Sequence, residues 1–219
     1  MNKKEVRFLE LAELRAEQDE RGARIEGYPI VFNQETVIGG RCREMILPEA
    51  VTEEMLRDVA LMIGHDFGMI PLAHSRRNNG NSTMQLTITE AGMFIRATLD
   101  IKGNPKAAEL YSAIKRGDIT GMSFAFIVGE DSWEGLDTDS PLRSVASIAK
   151  VFEVSAVTHP AYIGTSIQAA SAGETLESVM ASLESARAQL AEDREQEARQ
   201  ERRRAALERL ENLQKEVRG

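Results

Sequence analysis

The sequence predicts an α+β body rich in strands followed by a long, charged helix, and three observations carry this reading. Up to about Ala170 the chain is punctuated by Gly and Pro and holds short apolar and β-branched runs bounded by turn residues. Two stretches inside that region carry helical patterns instead. From Ser171 onward Pro is absent, Gly173 is the sole internal glycine, and Ala, Glu, Arg and Leu dominate, as in a long helix. The expected organisation is a body over residues 1–170 and an arm over residues 171–219.

In order, strands are expected at 6–9, 25–32, 59–63, 84–88, 93–99, 122–128 and 145–157. Helices are expected at 48–59 and 105–115. The second has Pro105 in its first turn, apolar Ala107, Leu110, Ala113 and Ile114, and Gly117 as its stop. Residues 129–141 are acidic and turn-rich, with Trp133 and Leu136 as their only large apolar side chains, and read as a mobile loop between two strands. In the arm, Leu176, Leu183 and Leu190 recur at seven residues with Met180 between, and Ala206, Leu210, Leu213 and Val217 at four and three. Residues 192–204 are nearly all charged, so the apolar seam breaks there. The reading is an exposed helical arm with two ends able to pair.

Composition narrows the function. The 42% hydrophobic and 28% charged content fits a soluble globular chain with no run long enough to span a membrane. No apolar signal-peptide core follows Lys3 and Lys4, so the chain is expected to remain in the cytoplasm of the cell that makes it. Cys42 is the single cysteine, which excludes an intrachain disulfide and a multi-cysteine zinc site. It lies between Arg41 and Arg43 with no histidine nearby in sequence, a poor setting for a nucleophile. A net charge of −8 argues against a sequence-independent grip on nucleic acid. Arg202, Arg203 and Arg204 are interleaved with glutamates and read as a solvated helix face.

The strongest chemical signal lies at Gly121-Met122-Ser123-Phe124. Strand alternation turns Met122, Phe124, Phe126 and Val128 to one face and Ser123 and Ala125 to the other. Ser123 thus combines rigid apolar backing with an expected open approach, as a nucleophile needs, although a strand serine is more often a core space-filler. His65 closes the apolar run 59–63 at an expected strand end, where an imidazole can be anchored yet exposed. Taken singly, it reads equally as a surface residue. Glu153 sits in an otherwise apolar strand, where a carboxylate is costly unless paired, and it can orient an imidazole or form an ordinary ion pair.

Together these residues resemble the prohead proteases of phages with the HK97-type capsid fold. The resemblance rests on Arg24-Ile25-Glu26-Gly27-Tyr28 with Val31-Phe32-Asn33, on His65-Asp66 followed by Ile70-Pro71-Leu72, on Gly121-Met122-Ser123-Phe124, and on Phe152-Glu153-Val154-Ser155 leading to Val157-Thr158-His159-Pro160-Ala161-Tyr162. These motifs stand in the family's order over about residues 6–165. The resemblance implies a herpesvirus-protease-like fold, a mostly antiparallel β-barrel with helices around it. It implies a serine endopeptidase with Ser123 as nucleophile and His65 as general base. Glu153 matches the third member by position, whereas His159 supplies the residue type of the viral relatives; Glu153 is favoured, and His74 has no matching role. The implied setting is the interior of an assembling prohead in the host cytoplasm. There the enzyme would cut the scaffold segment of the major capsid protein and itself, with no cofactor or metal, no nucleic acid or membrane partner, and self-association open. The rival reading is a non-enzymatic assembly factor acting through its arm. A nucleophile-elbow hydrolase is disfavoured, since no Gly-x-Ser-x-Gly occurs.

Overall fold

The computed structural model describes residues 4–9, 13–20, 22–158 and 166–218. Its strands are β1 (Lys4–Leu9), β2 (Arg15–Asp19), β3 (Gly22–Val31), β4 (Thr36–Ile38), β5 (Cys42–Ile46), β6 (Ala60–Ile63), β7 (Ala73–His74), β8 (Met84–Ile88) and β9 (Gly92–Leu99). Helix α1 (Pro105–Arg116), β10 (Gly121–Glu134), β11 (Leu142–Val157) and α2 (Ser166–Arg218) complete the order. The chain divides into two compact units, Met1–Ser178 and Val179–Gly219.

The first unit is built on two sheets. One runs β1-β10-β11-β5-β4, with β6 beside β11 and β7 beside β6; the other is antiparallel and runs β2-β3-β9-β8. Strand β11 organises the larger sheet. Its one edge pairs antiparallel with β10, while its other edge takes β5 at residues 142–145 and β6 at residues 153–156, both in parallel. This corrects the barrel that the resemblance implies: the larger sheet is mixed, its path ends at β1 and β4, and no closed barrel forms among the described residues.

Between the sheets lies one apolar core. It joins Ile25, Ile30, Met93 and Ile95 of the smaller sheet to Met122, Phe124, Phe126, Ile148 and Val154 of the larger, with Leu110 and Ile114 of α1. Phe124 and Phe126 stack with ring centroids 4.7 Å apart, a rigid backing for the opposite face of β10. Helix α1 forms where its punctuation places it. Asn104 caps it by accepting from the Lys106 and Ala107 N–H groups, and Gly117 ends it in the left-handed conformation at φ 80°.

Two further expectations fail. Residues 48–59 form two 3₁₀ turns, Pro48–Ala50 and Glu53–Leu56, around extended Val51 and Thr52. The β-branched pair interrupts the helix, and the apolar spacing is spent on burying Ala50, Val51, Leu56 and Val59 in the core. The expected loop at 129–141 is strand as far as Glu134, because β10 continues to pair with the first residues of β11 and leaves only a short turn beyond.

Candidate active site

Strand register brings the predicted residues together. β10 and β11 pair so that Ser123 lies opposite Ser155, and Ala125 opposite Glu153, on one face. On the other edge of β11, β6 runs alongside with Ala60 opposite Glu153 and Met62 opposite Ser155. After Ile63 the chain turns sharply, because Gly64 and His65 both adopt left-handed backbone at φ 61°. Gly64 N–H is fixed to the Ala156 carbonyl at 3.1 Å, and the turn swings the His65 ring onto the face that Ser123 and Glu153 share. For histidine this conformation costs on the order of 1–3 kcal/mol, the kind of strain retained at functional sites.

The result is a directed hydrogen-bond chain. His65 Nε2 lies 2.6 Å from Ser123 Oγ, and His65 Nδ1 lies 2.6 Å from Glu153 Oε1. An ionised Glu153 accepts only, so Nδ1 carries the proton that it shares with the carboxylate, and the Nε2 lone pair is left for the Ser123 hydroxyl. Glu153 Oε2 is held at 2.6 Å by the Ser155 hydroxyl, whose oxygen also accepts the His65 backbone N–H at 3.1 Å. Ser123 has a second acceptor as well, the Arg7 carbonyl at 2.6 Å. One hydroxyl proton serves one acceptor at a time, so a donation to Arg7 withholds it from His65.

Burial separates this site from its sequence expectation. Ser123 and Glu153 are fully buried and His65 is 2% exposed, so the open approach and exposed imidazole expected above are absent in this state. The Arg7 carbonyl of β1 and the His65 ring both meet the serine hydroxyl.

Arg7 carries a second cluster. Its guanidinium pairs with Glu5 and with both oxygens of Glu44, and Arg143 reaches Glu5 at 2.9 Å, Glu44 at 3.0 Å and Asp131 at 2.5 Å. Burial alone would push the Glu5 carboxyl up, but the two guanidiniums outweigh it and hold Glu5 below the ordinary carboxylate range. Burial likewise works against the charges of Arg7 and Arg143, and their carboxylate partners raise both above the usual guanidinium value. Helix α2 fastens the same strand: Thr175 Oγ1 accepts Val6 N–H at 3.0 Å, and Ser178 Oγ donates to Glu5 Oε1 at 2.9 Å.

The remaining candidates lie elsewhere. His159 is outside the described residues. His74 Nδ1 accepts the Arg76 N–H at 3.1 Å, and burial followed by the Arg76 charge lowers its pKa. Burial, then Glu44, pushes the Cys42 thiol up, which disfavours a thiolate. In the turn from Gly117 to Gly121, the Gly117 and Asp118 N–H groups are spent on the end of α1 and are not open to a substrate oxygen. Among the described residues, no three His, Cys, Asp or Glu side chains are grouped to hold a metal ion. Two features escaped sequence reasoning: the Arg7 carbonyl, which has no sequence signal, and Ser155, whose signal was its place two residues after Glu153.

Known proteins offer a comparison. The prohead protease of Enterobacteria phage HK97 is 27% identical over 157 residues, an alignment covering 70% of this chain and 63% of that protein. That identity makes the HK97 protein a relative and rules out the equation of the two that the motifs invite. The chain therefore spans less than two thirds of this relative's length. The bacteriophage T4 capsid assembly protease aligns with TM-score 0.43 and 15% identity, over 73% of this chain and all of that one. The profile of the caudovirus prohead serine proteases matches residues 10–179, which include Ser123, His65 and Glu153, and the chain belongs to that family.

Proposed function

We propose that the chain is a serine endopeptidase of capsid maturation, with Ser123 as nucleophile, His65 as general base and Glu153 as the carboxylate that orients the imidazole. The observation that carries this is the continuous chain Ser123 Oγ, His65 Nε2, His65 Nδ1, Glu153 Oε1, with both contacts at 2.6 Å. Ser123 Oγ attacks a peptide carbonyl as Nε2 takes its proton; Glu153 stabilises the imidazolium; His65 then returns the proton to the leaving amine, and water releases the acyl group. Attack requires that Oγ surrender its donation to the Arg7 carbonyl and that the substrate carbonyl reach a hydroxyl enclosed in this state.

The substrate is the scaffold segment of the major capsid protein, and the chain also cuts itself; the reaction runs inside the prohead, in the host cytoplasm. The unit Val179–Gly219 supports a delivery role. Its residues 201–210 are exposed, with Leu207 and Leu210 54% and 56% accessible, suited to pairing with helices of a scaffold. Intact-mass spectrometry of the purified chain and of co-assembled capsid protein, with and without Ser123→Ala, tests the proposal. Shortening of both in the wild type and of neither in the variant is expected. Continued processing by Ser123→Ala or His65→Ala overturns it, and unprocessed wild-type particles of normal size favour the non-enzymatic assembly factor.

A further inference from the structure

We propose that Ser155 is a fourth, positioning residue of this site, setting the His65 ring and the Glu153 carboxylate against each other through one hydroxyl. The inference rests on the catalytic reading above and deepens it. Ser155 is fully buried, and its hydrogen bonding is directional. The His65 backbone N–H can only donate, so Ser155 Oγ accepts from it at 3.1 Å and its own proton is free for Glu153 Oε2 at 2.6 Å. The carboxylate is thereby held at both oxygens, Oε1 on the imidazole and Oε2 on Ser155, which fixes its plane relative to the ring.

The other half of the device is the backbone. His65 follows Gly64 in left-handed conformation, away from the regular pairing of β6, and the bond from its N–H to Ser155 ties that turn to β11. Ser155 also stands directly opposite Ser123 in the β10–β11 ladder. One side chain thus references the base, its orienter and the strand of the nucleophile to a common point. Misplacing catalytic groups by about an ångström is worth roughly 10²-fold in rate.

The test uses the full chain and a fluorophosphonate probe, from which Ser123 Oγ displaces fluoride to leave a phosphonylated serine read by intact mass. Ser155→Ala is expected to slow labelling of Ser123 by about 10²-fold while the protein still melts cooperatively. Ser155→Thr, which keeps the hydroxyl, should restore most of the rate. In a Glu153→Gln background the same Ser155→Ala change should cost clearly less than in the wild type, because one of the two groups it positions has already lost its charge while the bond to the His65 N–H remains. Labelling of Ser155→Ala at the wild-type rate, or an undiminished effect in the Glu153→Gln background, overturns the positioning role. Should the added methyl of Thr disturb the packing, as melting would show, the Glu153→Gln comparison decides alone. A wild-type chain that never labels at Ser123 overturns the catalytic reading and this proposal with it.

Discussion

Strand β10 separates two buried polar clusters of opposite construction. On the face of Ser123, side chains form a directed series of hydrogen bonds through one imidazole and one carboxyl group. Arg7 and Glu5 pair in register with Phe124 and Phe126, which places them on the other face, and there the guanidiniums of Arg7 and Arg143 pair with Glu5 and Glu44, and Arg143 also with Asp131. A directed series that runs through an imidazole can pass a proton. A closed set of paired charges moves none and instead holds β1, β5 and β11 in place. Arg7 belongs to both, giving its guanidinium to the ion cluster and its carbonyl to the serine. The first cluster should accordingly govern rate and the second stability.

The sharpest way to break that division is at Glu153. Replacement by Gln keeps the shape and removes the charge that stabilises the imidazolium, a loss of up to about 10⁴-fold in turnover with little change in melting. His159→Ala should cost far less in the same peptide assay; if His159→Ala is the dead variant instead, the third member is assigned to the wrong residue. The converse substitution is Arg143→Met. It leaves Glu5 and Glu44 to share Arg7, and should cost about 3–5 kcal/mol in urea denaturation, whereas labelling of Ser123 in the folded fraction stays near wild type. A rate collapse without destabilisation would show that the two clusters are not separable.

Acid should act mainly through the ion pairs. Glu5 and Glu26 both have folded-state pKa values below the ordinary 4.5: burial opposes the charge in each, and guanidinium partners outweigh it. Below that value the unfolded chain binds protons that the native one does not. The stabilisation is complete above pH 4.5 and drains as pH falls through the lowered values, by at most about 1.4 kcal/mol per pH unit for each group. Glu5→Gln should flatten the decline measured between about pH 6 and pH 3, and an unchanged slope would remove Glu5 from the account.

The smallest effect on chemistry is expected from removing Val179–Gly219. The cut spares Thr175 and Ser178, which fasten β1, so peptide turnover should hold while fewer copies enter proheads by quantitative mass spectrometry. Loss of turnover in a folded truncation would assign the arm to the catalytic unit, and undiminished packaging would refute delivery.

How far the fold could be read depended on which side chains face the core. β8 and β9 announce themselves because alternate residues are buried, Met84 and Leu86 in one, Met93, Ile95, Ala97 and Leu99 in the other. β2 is Arg-Ala-Glu-Gln-Asp, nearly all exposed, and carries no apolar period to find. β5 alternates faithfully, but one of its buried positions is Glu44, which reads as solvent-facing until Arg7 and Arg143 are seen around it. The candidate site divides in the same way. Ser123, His65 and Glu153 were nameable from motifs because residue type and local setting travel with the chain.

Local rules fix the helix limits at Asn104 and Gly117 and the long helical character of residues beyond Ser171, since capping, backbone propensity and periodicity act over a few neighbours. Tertiary structure alone decided that the serine is enclosed, that its hydroxyl has a rival acceptor in Arg7, 116 residues away, and that Ser155 joins base to carboxylate across 90 residues. Those are matters of strand register between distant segments, where a shift of one residue turns every side chain to the opposite face, and no local pattern encodes which segments will pair.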